Sequence, residues 1–296
     1  MLHFEPFERF AVQRIRFFDA SEGYIERAKL SRVARDITMS SIFDRSAHRP
    51  WPLTSGPWVM AQSWHDLLFA HWKVDAAKLR PHIPAELEID TFDRQAWLGV
   101  VPFRMSGVRL RWTPALPWLS AFPELNVRSY VTAQGKPGVW FFSLDAANPV
   151  AVAAARLSFH LPYFRARMRS REIDGWIQYK SERTHPGAPG AAFEACYRAA
   201  GEFFEARRGT LEHFLTERYC LYSAASEGRV YRGEIHHPPW RLQPAEAQFA
   251  RNSMAEAASL TPPAALPLLH FARRQDMVAW APHRIAYVSS PTRSPV

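Results

Sequence analysis

The sequence predicts an α+β protein in which antiparallel strands form most of the structure. Its 296 residues contain many short segments that alternate between apolar and polar residues, as half-buried strands do. Two such segments are joined by Asp174-Gly175, the strongest short-range signal of a β-hairpin. Few segments have helical spacing, and residues 149–160 form the clearest internal helix. This balance favours a large antiparallel sheet or barrel with a few helices appended.

The predicted elements begin near His65 and follow one another at short spacing. Alternating or apolar runs bounded by turn residues predict strands at residues 66–74, 87–92, 95–105, 124–133, 139–145, 164–172, 176–183, 220–225, 230–236 and 268–280. Helical segments are predicted at residues 75–79, 149–160, 211–217 and 253–260. Residues 87–92 with 95–105, and 124–133 with 139–145, are expected to form hairpins, because each pair is joined by a short turn.

Residues 1–49 are predicted to be an N-terminal extension that is weakly ordered or partly helical. They carry alternating charges and few strand-like runs. Leu30, Val33 and Ile37 fall at helical spacing, which indicates a short amphipathic helix. The alternative is a poorly ordered terminus, which we favour because disorder concentrates at chain ends.

The rest of the chain is assigned to a single domain, residues 50–288, followed by a C-terminal tail, residues 289–296. We expect the segment before Met39 to be dispensable for folding. A chain starting at Met39 should therefore keep the melting temperature of the full-length protein. A drop of several degrees would show that the extension packs on the domain, because about 1 kcal/mol shifts the melting temperature of a domain this large by a few degrees.

Composition excludes several classes of function. The net charge is +9, but the excess is almost entirely arginine, spread from Arg9 to Arg293. A charge excess alone affects solubility and non-specific binding, so no specific nucleic-acid partner is expected. The sequence has no signal-peptide pattern and no apolar stretch long enough to cross a bilayer. Cys196 and Cys220 do not have the spacing of a metal-binding or redox motif, so we expect them to be two buried thiols. These features predict a cytoplasmic protein without a membrane partner.

A polar row on one predicted strand is the best candidate for a binding site. The strand period of two places Glu124, Asn126, Arg128 and Tyr130 on one face of residues 124–133. Alternation alone favours a solvent-facing strand. The aromatic residues around this strand favour the other interpretation, a row of polar groups that lines an apolar ligand cavity.

Two further features have alternative interpretations. Arg104, on the strand at residues 95–105, has the fork geometry that binds a carboxylate, or it is a surface arginine lying on apolar neighbours. His236 and His237 invite a metal interpretation, but adjacent strand residues point to opposite faces, so no metal is expected. We expect one of these histidines to pack beneath Trp240. No dinucleotide fingerprint or phosphate-binding loop is present, so no cofactor is expected.

The segment from Arg156 to Phe164 resembles the active-site region of acetoacetate decarboxylase. In that family an arginine, a bulky aromatic residue and a proline precede a pair of lysines, one of which forms a Schiff base and the other of which helps to lower its pKa; the enzyme is a standard example of such activation. Here Tyr163 and Phe164 stand in place of the lysines. The resemblance implies that Glu124 and Asn126 match the family's Asn-Glu pair and that Arg156 matches its arginine. Schiff-base chemistry is therefore disfavoured.

Several segments together resemble the YqjF-like family of uncharacterised bacterial proteins, a domain-of-unknown-function family (2071). They are residues 64–72, 79–90, 97–105, 122–130, 138–146 and 234–240. The resemblance covers about residues 50–288. That family is similar in fold to acetoacetate decarboxylase. It therefore implies an α+β, mainly antiparallel structure, a barrel or sandwich of acetoacetate-decarboxylase type, that encloses a pocket.

The combined prediction is a small-molecule pocket without a Schiff-base lysine. Glu124, as a general acid or base, would act beside the ligand-binding residues Arg104, Asn126, Arg128, Arg156 and Tyr163, and the ligand would bear a carboxylate. The alternative is a non-catalytic binding or scaffold protein whose inner polar row is a structural network. The sequence does not determine whether a reaction is catalysed or whether the protein forms a homo-oligomer.

Overall fold

The computed structural model describes residues 42–116, 119–225, 228–262 and 264–285. Most of the predicted extension, including the helical spacing around Val33 and the start at Met39, lies outside the described residues, as does the predicted tail. The described residues from Arg45 onward belong to one compact unit. The boundaries proposed for the extension and the tail stay predictions.

Fourteen strands are found among the described residues. In chain order they are β1 (Met60–Val74), β2 (Glu88–Ile89), β3 (Ala96–Leu110), β4 (Phe122–Ala133), β5 (Lys136–Ala146), β6 (Tyr163–Ile173), β7 (Trp176–Arg183), β8 (Ala192–Ala199), β9 (Phe204–Glu205), β10 (Cys220–Ala224), β11 (Val230–His236), β12 (Arg241–Asn252), β13 (Leu268–Ala279) and β14 (His283–Arg284).

Three α-helices lie wholly within the described part of the chain, after a helical end at residues 42–44: α1 (Ala76–Leu79), α2 (Pro149–Phe159) and α3 (Leu211–Thr216). Each begins at a capping residue that accepts backbone N–H groups, namely Asp75, Asn148 and Thr210. Helix α2 ends at His160, which adopts a left-handed conformation with φ of 52°. Asn148 and His160 therefore set the length of the clearest predicted helix.

The strands pair into two closed circuits that share one wall. The larger circuit runs β4–β5–β6–β7–β8–β12–β13–β1–β3 and returns to β4. The smaller one leaves β5 through β10 and β11 and rejoins at β13. Among the described strands, only the pairings of β5 with β6 and with β10 are parallel. The predicted α+β, mainly antiparallel class is confirmed.

The main core lies on one side of the shared wall. Leu125 and Val127 of β4 belong to a cluster with Tyr179, Phe193 and other buried side chains from the larger circuit. The Tyr179 hydroxyl donates to the backbone oxygen of Glu124 at 2.7 Å. This core therefore supports β4 from behind and leaves the opposite face of β4 turned toward the smaller circuit.

Two predictions of local structure differ from the observed elements. The hairpin expected between residues 87–92 and 95–105 is reduced to a bridge between Phe92 and Gln95, and β2 pairs with β4 instead. The helix expected at residues 253–260 is a single 3-10 turn at Glu256–Ala258. It ends at once because Ser259 takes a left-handed conformation, with φ of 60°.

Within the described residues, no helix is long and apolar enough to cross a membrane. The longest of them, α2, has 11 residues, about half the length that a bilayer requires.

Candidate functional site

A cavity of about 560 Å³ lies against the shared wall, on the side opposite the main core. Strands β1, β3, β4, β5, β10, β11 and β13 of the smaller circuit contribute to its lining, and helix α2 covers part of it. Most of the lining side chains are apolar, with a few polar groups among them. This volume and this composition are typical of a small-molecule site.

The polar row of β4 faces this cavity. Glu124, Asn126 and Arg128 line it, whereas Leu125 and Val127 pack into the main core. Glu124 is 3% exposed and Asn126 is 5% exposed. The predicted alternation is confirmed, and the solvent-facing interpretation of this strand is wrong, because both sides of the shared wall are covered.

Burial controls the ionisation of Glu124. Its pKa is raised to about 8, mainly because burial removes water from the carboxyl. The charge of nearby Asp145 contributes a smaller part of this rise. A hydrogen bond from the Tyr163 hydroxyl to Oε2, 2.8 Å long, acts in the opposite direction. Among the described residues, no cation forms an ion pair with Glu124. The carboxyl is therefore mostly neutral near pH 7 and holds a proton inside the cavity.

Tyr163 and Arg156 hold different places. Tyr163, the first residue of β6, lines the cavity and contacts Glu124. The Arg156 guanidinium donates to the backbone oxygen of Tyr163 at 2.7 Å and lines a separate, more open depression beside Trp140. Arg156 thus supports the segment that carries Tyr163, and its side chain is not part of the cavity lining.

Arg128 marks the inner end of the polar row. Its Nη2 donates to the backbone oxygen of Leu215 at 3.3 Å, and its guanidinium lies 5.3 Å from the centre of the Phe69 ring. The Nε atom of Arg128 and the Oδ1 atom of Asn126 are buried without a hydrogen-bond partner in the protein. A buried polar atom without a partner costs about 1–3 kcal/mol, a cost that a ligand or water reaching these two atoms would offset.

The structure does not bring Arg104 to the cavity. Val101, Phe103 and Met105 of β3 line it, so Arg104 points to the opposite face. Its Nη2 lies 2.5 Å from Oδ2 of Asp66, in an ion pair that leaves 43% of the arginine side chain exposed. The expectation that Arg104 belongs to the ligand-binding set is therefore corrected: the period of two excludes it from the inward face, and Asp66 satisfies its charge.

Four further cavity residues were not singled out as site residues from the sequence: Trp64, Arg218, His237 and Trp240. The rings of Trp64 and Trp240 stack with centroids 5.8 Å apart, and both indole N–H groups are buried without a partner. His237 packs against Trp240 at 5.4 Å, as expected for one of the two adjacent histidines. These residues come from three separate segments, and only His237 and Trp240 are close in sequence, so no local pattern joins all four.

The described residues contain no cluster of His, Cys, Asp and Glu side chains that could hold a metal ion. His237 lines the cavity, and burial lowers its pKa to about 4. Its neighbour His236 is not part of the cavity lining, and Nδ1 of His236 lies 3.3 Å from Nη1 of Arg49. The two rings thus face different neighbours, as the strand geometry requires.

No lysine is found in the described lining of the cavity. Lys136 lies 2.6 Å from the buried carboxylate of Glu234, and Lys180 pairs with Glu194 at the surface. Lys73 and Lys78 are exposed, and Lys29 lies outside the described residues.

Comparisons with known proteins agree on family and fold. Residues 61–276 match the family model DUF2071, described as an uncharacterized conserved protein. The chain is 47% identical to uncharacterized protein YqjF of Bacillus subtilis (strain 168) over 225 residues, which is 76% of this chain and 92% of that protein.

Solved structures of similar shape are much more distant in sequence. The enduracididine biosynthesis enzyme MppR complexed with pyruvate has a TM-score of 0.55 and 12% identity, with 82% of this chain and 96% of that chain covered. Acetoacetate decarboxylase from Legionella pneumophila has a TM-score of 0.53 and 12% identity, with coverage of 83% and 96%. At this identity the likeness establishes the acetoacetate-decarboxylase-like fold alone.

Proposed function

The chain belongs to the DUF2071 family of uncharacterized conserved proteins, and from that premise we propose that it binds a small carboxylate-bearing molecule in the cavity beside Glu124. The observation that carries the proposal is the set of unpartnered polar atoms in an otherwise apolar lining. Asn126 Oδ1 and Arg128 Nε are buried and have no partner in the protein. A ligand whose carboxylate accepts from Arg128 Nε and whose hydroxyl donates to Asn126 Oδ1 would remove the cost of burying them.

Arg128 is the residue suited to hold the carboxylate. A guanidinium forms strong, directional hydrogen bonds to a carboxylate, and here the protein already uses Nη2 while Nε stays unpartnered. The guanidinium carbon lies 5.3 Å from the centre of the Phe69 ring and 5.7 Å from the centre of the Tyr130 ring. An anionic ligand would also neutralise a charge that lies half-buried in an apolar wall.

Glu124 is the group suited to move a proton. A pKa of about 8 leaves a proton on the carboxyl near neutral pH and keeps the ionised form accessible, as general acid–base catalysis requires. Tyr163 holds the carboxyl in place through its hydrogen bond. The neutral state also avoids repulsion between Glu124 and an anionic ligand. Whatever reaction occurs would therefore use Glu124 as the acid or base and Tyr163 as a positioning residue.

The proteins of similar fold support an acid as the ligand. MppR has been solved with pyruvate, and acetoacetate decarboxylase is named for an oxo acid. The absence of lysine from the described lining argues against an imine in this chain. We therefore propose acid binding without Schiff-base chemistry, in a cytoplasmic protein.

The second candidate is a binding or scaffold protein in which the polar row is structural. It is favoured by the contact between Tyr163 and Glu124, which already gives one carboxyl oxygen a partner within the protein. The 560 Å³ cavity and the unpartnered atoms of Asn126 and Arg128 favour the first candidate, because a purely structural network satisfies its own polar groups.

The test is mass spectrometry of the small molecules released from natively purified protein. We expect an organic acid in the wild-type extract that is missing from the Arg128→Met extract. The matched control is Arg104→Met, which removes an arginine of the same sheet that lies outside the cavity and should keep the acid. Identical extracts from all three folded proteins would overturn the proposal.

A further inference from the structure

Strand register orders the cavity lining from polar to apolar. Arg128 and Asn126 lie near the middle of β4, and Glu124, which pairs with Phe103 across the sheet, lies closer to its first residue. The next cavity-facing pair in that direction is Phe122 with Met105. Beyond it, strands β3 and β1 end at the pair Met60 and Leu110. The lining along β3 and β4 is therefore polar at the Arg128 end and mainly apolar at the Leu110 end.

The apolar end is also the open end. Leu110, Leu116 and Val150 line the cavity and are 59%, 43% and 55% exposed, although large apolar side chains are usually buried. Trp112, next to this rim, is 88% exposed and is stacked by the Arg111 guanidinium at 4.6 Å. The mouth of the cavity is thus lined mainly by apolar side chains that reach solvent, with Gln62, Arg109 and Thr113 among them.

Helix α2 widens this apolar passage with small residues. Ala151, Ala154, Ala155 and Ser158 line the cavity, and their spacing places them on one face of the helix. Small side chains on this face leave an open channel between the helix and the strands. Larger residues at the same positions would fill it.

The polar end is closed by protein. The Arg128 guanidinium and the Tyr130 hydroxyl both donate to the backbone oxygen of Leu215, and Tyr130 is fully buried. Arg218, paired with Asp90 at 2.6 Å, also lines this part of the cavity. A ligand that entered from the mouth would therefore meet the charged groups at the inner end.

We propose, on the basis of the proposed function, that the ligand is a linear amphiphilic acid. Its carboxylate would lie at Arg128, any oxygen-bearing carbon would lie beside Asn126 and Glu124, and an aliphatic chain would extend past Phe122 to the mouth. A short acid such as a four-carbon oxo acid would leave the outer part of the lining facing water. An aliphatic chain removes that apolar surface from water, which strengthens binding by about fourfold per buried methylene, equivalent to about 0.8 kcal/mol.

The test is calorimetric titration of the full chain with butanoate, octanoate and dodecanoate near neutral pH, each below the concentration at which it forms micelles. We expect octanoate to bind at least about tenfold more tightly than butanoate. Ala155→Phe, at a half-buried position of α2 that lines the cavity, would fill the channel and should abolish the gain with chain length. The matched control is Ala153→Phe, an exposed position of the same helix outside the cavity lining, which should keep it.

The outcomes separate this inference from the proposed function. Equal affinities for the three acids, all weakened by Arg128→Met, would overturn the amphiphilic ligand and leave the carboxylate site standing. A gain with chain length that is insensitive to Arg128→Met would overturn the carboxylate site. A gain that survives in Ala155→Phe would place the chain elsewhere and overturn the inference, and no binding of any acid would overturn both proposals.

Discussion

The Tyr163 hydroxyl donates a 2.8 Å hydrogen bond to Oε2 of Glu124, joining the first residue of β6 to the inward face of β4. The bond stabilises the ionised carboxyl and opposes burial, which stabilises the neutral one. Burial has the larger effect, so the pKa of Glu124 rises to about 8. Burial and this opposing contact together set how much of the cavity's buried acid is ionised at a given pH.

Glu124→Gln is expected to change how stability depends on pH. The pKa of Glu124 is about 8 in the folded protein and near 4.5 in the unfolded chain, so the folded protein binds the extra proton between these values. The stability that this proton contributes is complete below the lower value and is lost as pH rises through the upper one. The free energy of unfolding of wild type, relative to Glu124→Gln, should therefore fall between about pH 5 and about pH 9.

Urea unfolding at several pH values measures this difference. Glu88→Gln is the control, since Glu88 of β2 is exposed and its replacement should leave the pH profile of wild type unchanged. A wild-type profile parallel to that of Glu124→Gln across this range would show that Glu124 does not titrate with a raised pKa.

Asp145→Asn should be strongly destabilising. Asp145 is fully buried and receives three hydrogen bonds from the Nε and Nη2 atoms of Arg183, whose side chain is 2% exposed. The substitution leaves the arginine buried without its counter-charge, which costs on the order of 3–5 kcal/mol. Glu182→Gln is the control, because its pair with Arg167 is exposed and contributes at most about 1 kcal/mol. Similar losses for both variants in denaturant unfolding would contradict the account.

Gly138→Ala should destabilise the junction between β5 and β10. A Cβ at this position would lie 2.7 Å from the backbone oxygen of Cys220 and 2.8 Å from the Tyr222 ring. Overpacking of this kind costs about 1–3 kcal/mol, and backbone cannot move aside as a flexible side chain can. Gly190→Ala, where a Cβ meets nothing within 4 Å, is the control and should change the melting temperature little. Equal melting temperatures for the two variants would show that the junction adapts.

No imine is expected to form with an oxo acid. The described cavity lining contains no lysine, and Lys136, the most buried of the described lysines, already pairs with Glu234 at 2.6 Å. Incubation with pyruvate or acetoacetate and borohydride should leave the intact mass unchanged. A reduced adduct on Lys73 or Lys180 would restore decarboxylase-type or aldolase-type chemistry.

The local pattern of β4 was enough to identify the inward row, because strand period alone separates Glu124 from Leu125. The contacts made by residues of β4 and of its neighbour β3 could not be predicted, because the contacting residues are far apart in the sequence. Arg104 forms its ion pair with Asp66, 38 positions away, and Asp66 takes a left-handed conformation with φ of 53° that no periodicity indicates. The contact between Tyr163 and Glu124 likewise depends on how two distant strands meet.

Two long strands were missed for a different reason. β8 and β12 are rich in alanine and contain glutamate, and β12 also contains Pro244; all three residue types have low strand propensity. Their pairing with each other and with β7 and β13 holds them in the sheet. Tertiary context overrides local propensity at both strands. Because these two strands were not predicted, the closure of the larger circuit could not be predicted either.

The most direct test of the account is the titration of Glu124 itself. In protein labelled with carbon-13 at glutamate carboxyls, the signal of Glu124 is identified by its loss in Glu124→Gln, and its chemical shift is followed from acid to mildly alkaline pH. The account predicts a midpoint near pH 8, because the carboxyl is buried in the cavity. A midpoint near 4.5, the ordinary value for glutamate, would contradict it, since the carboxyl would then be ionised and hydrated at neutral pH.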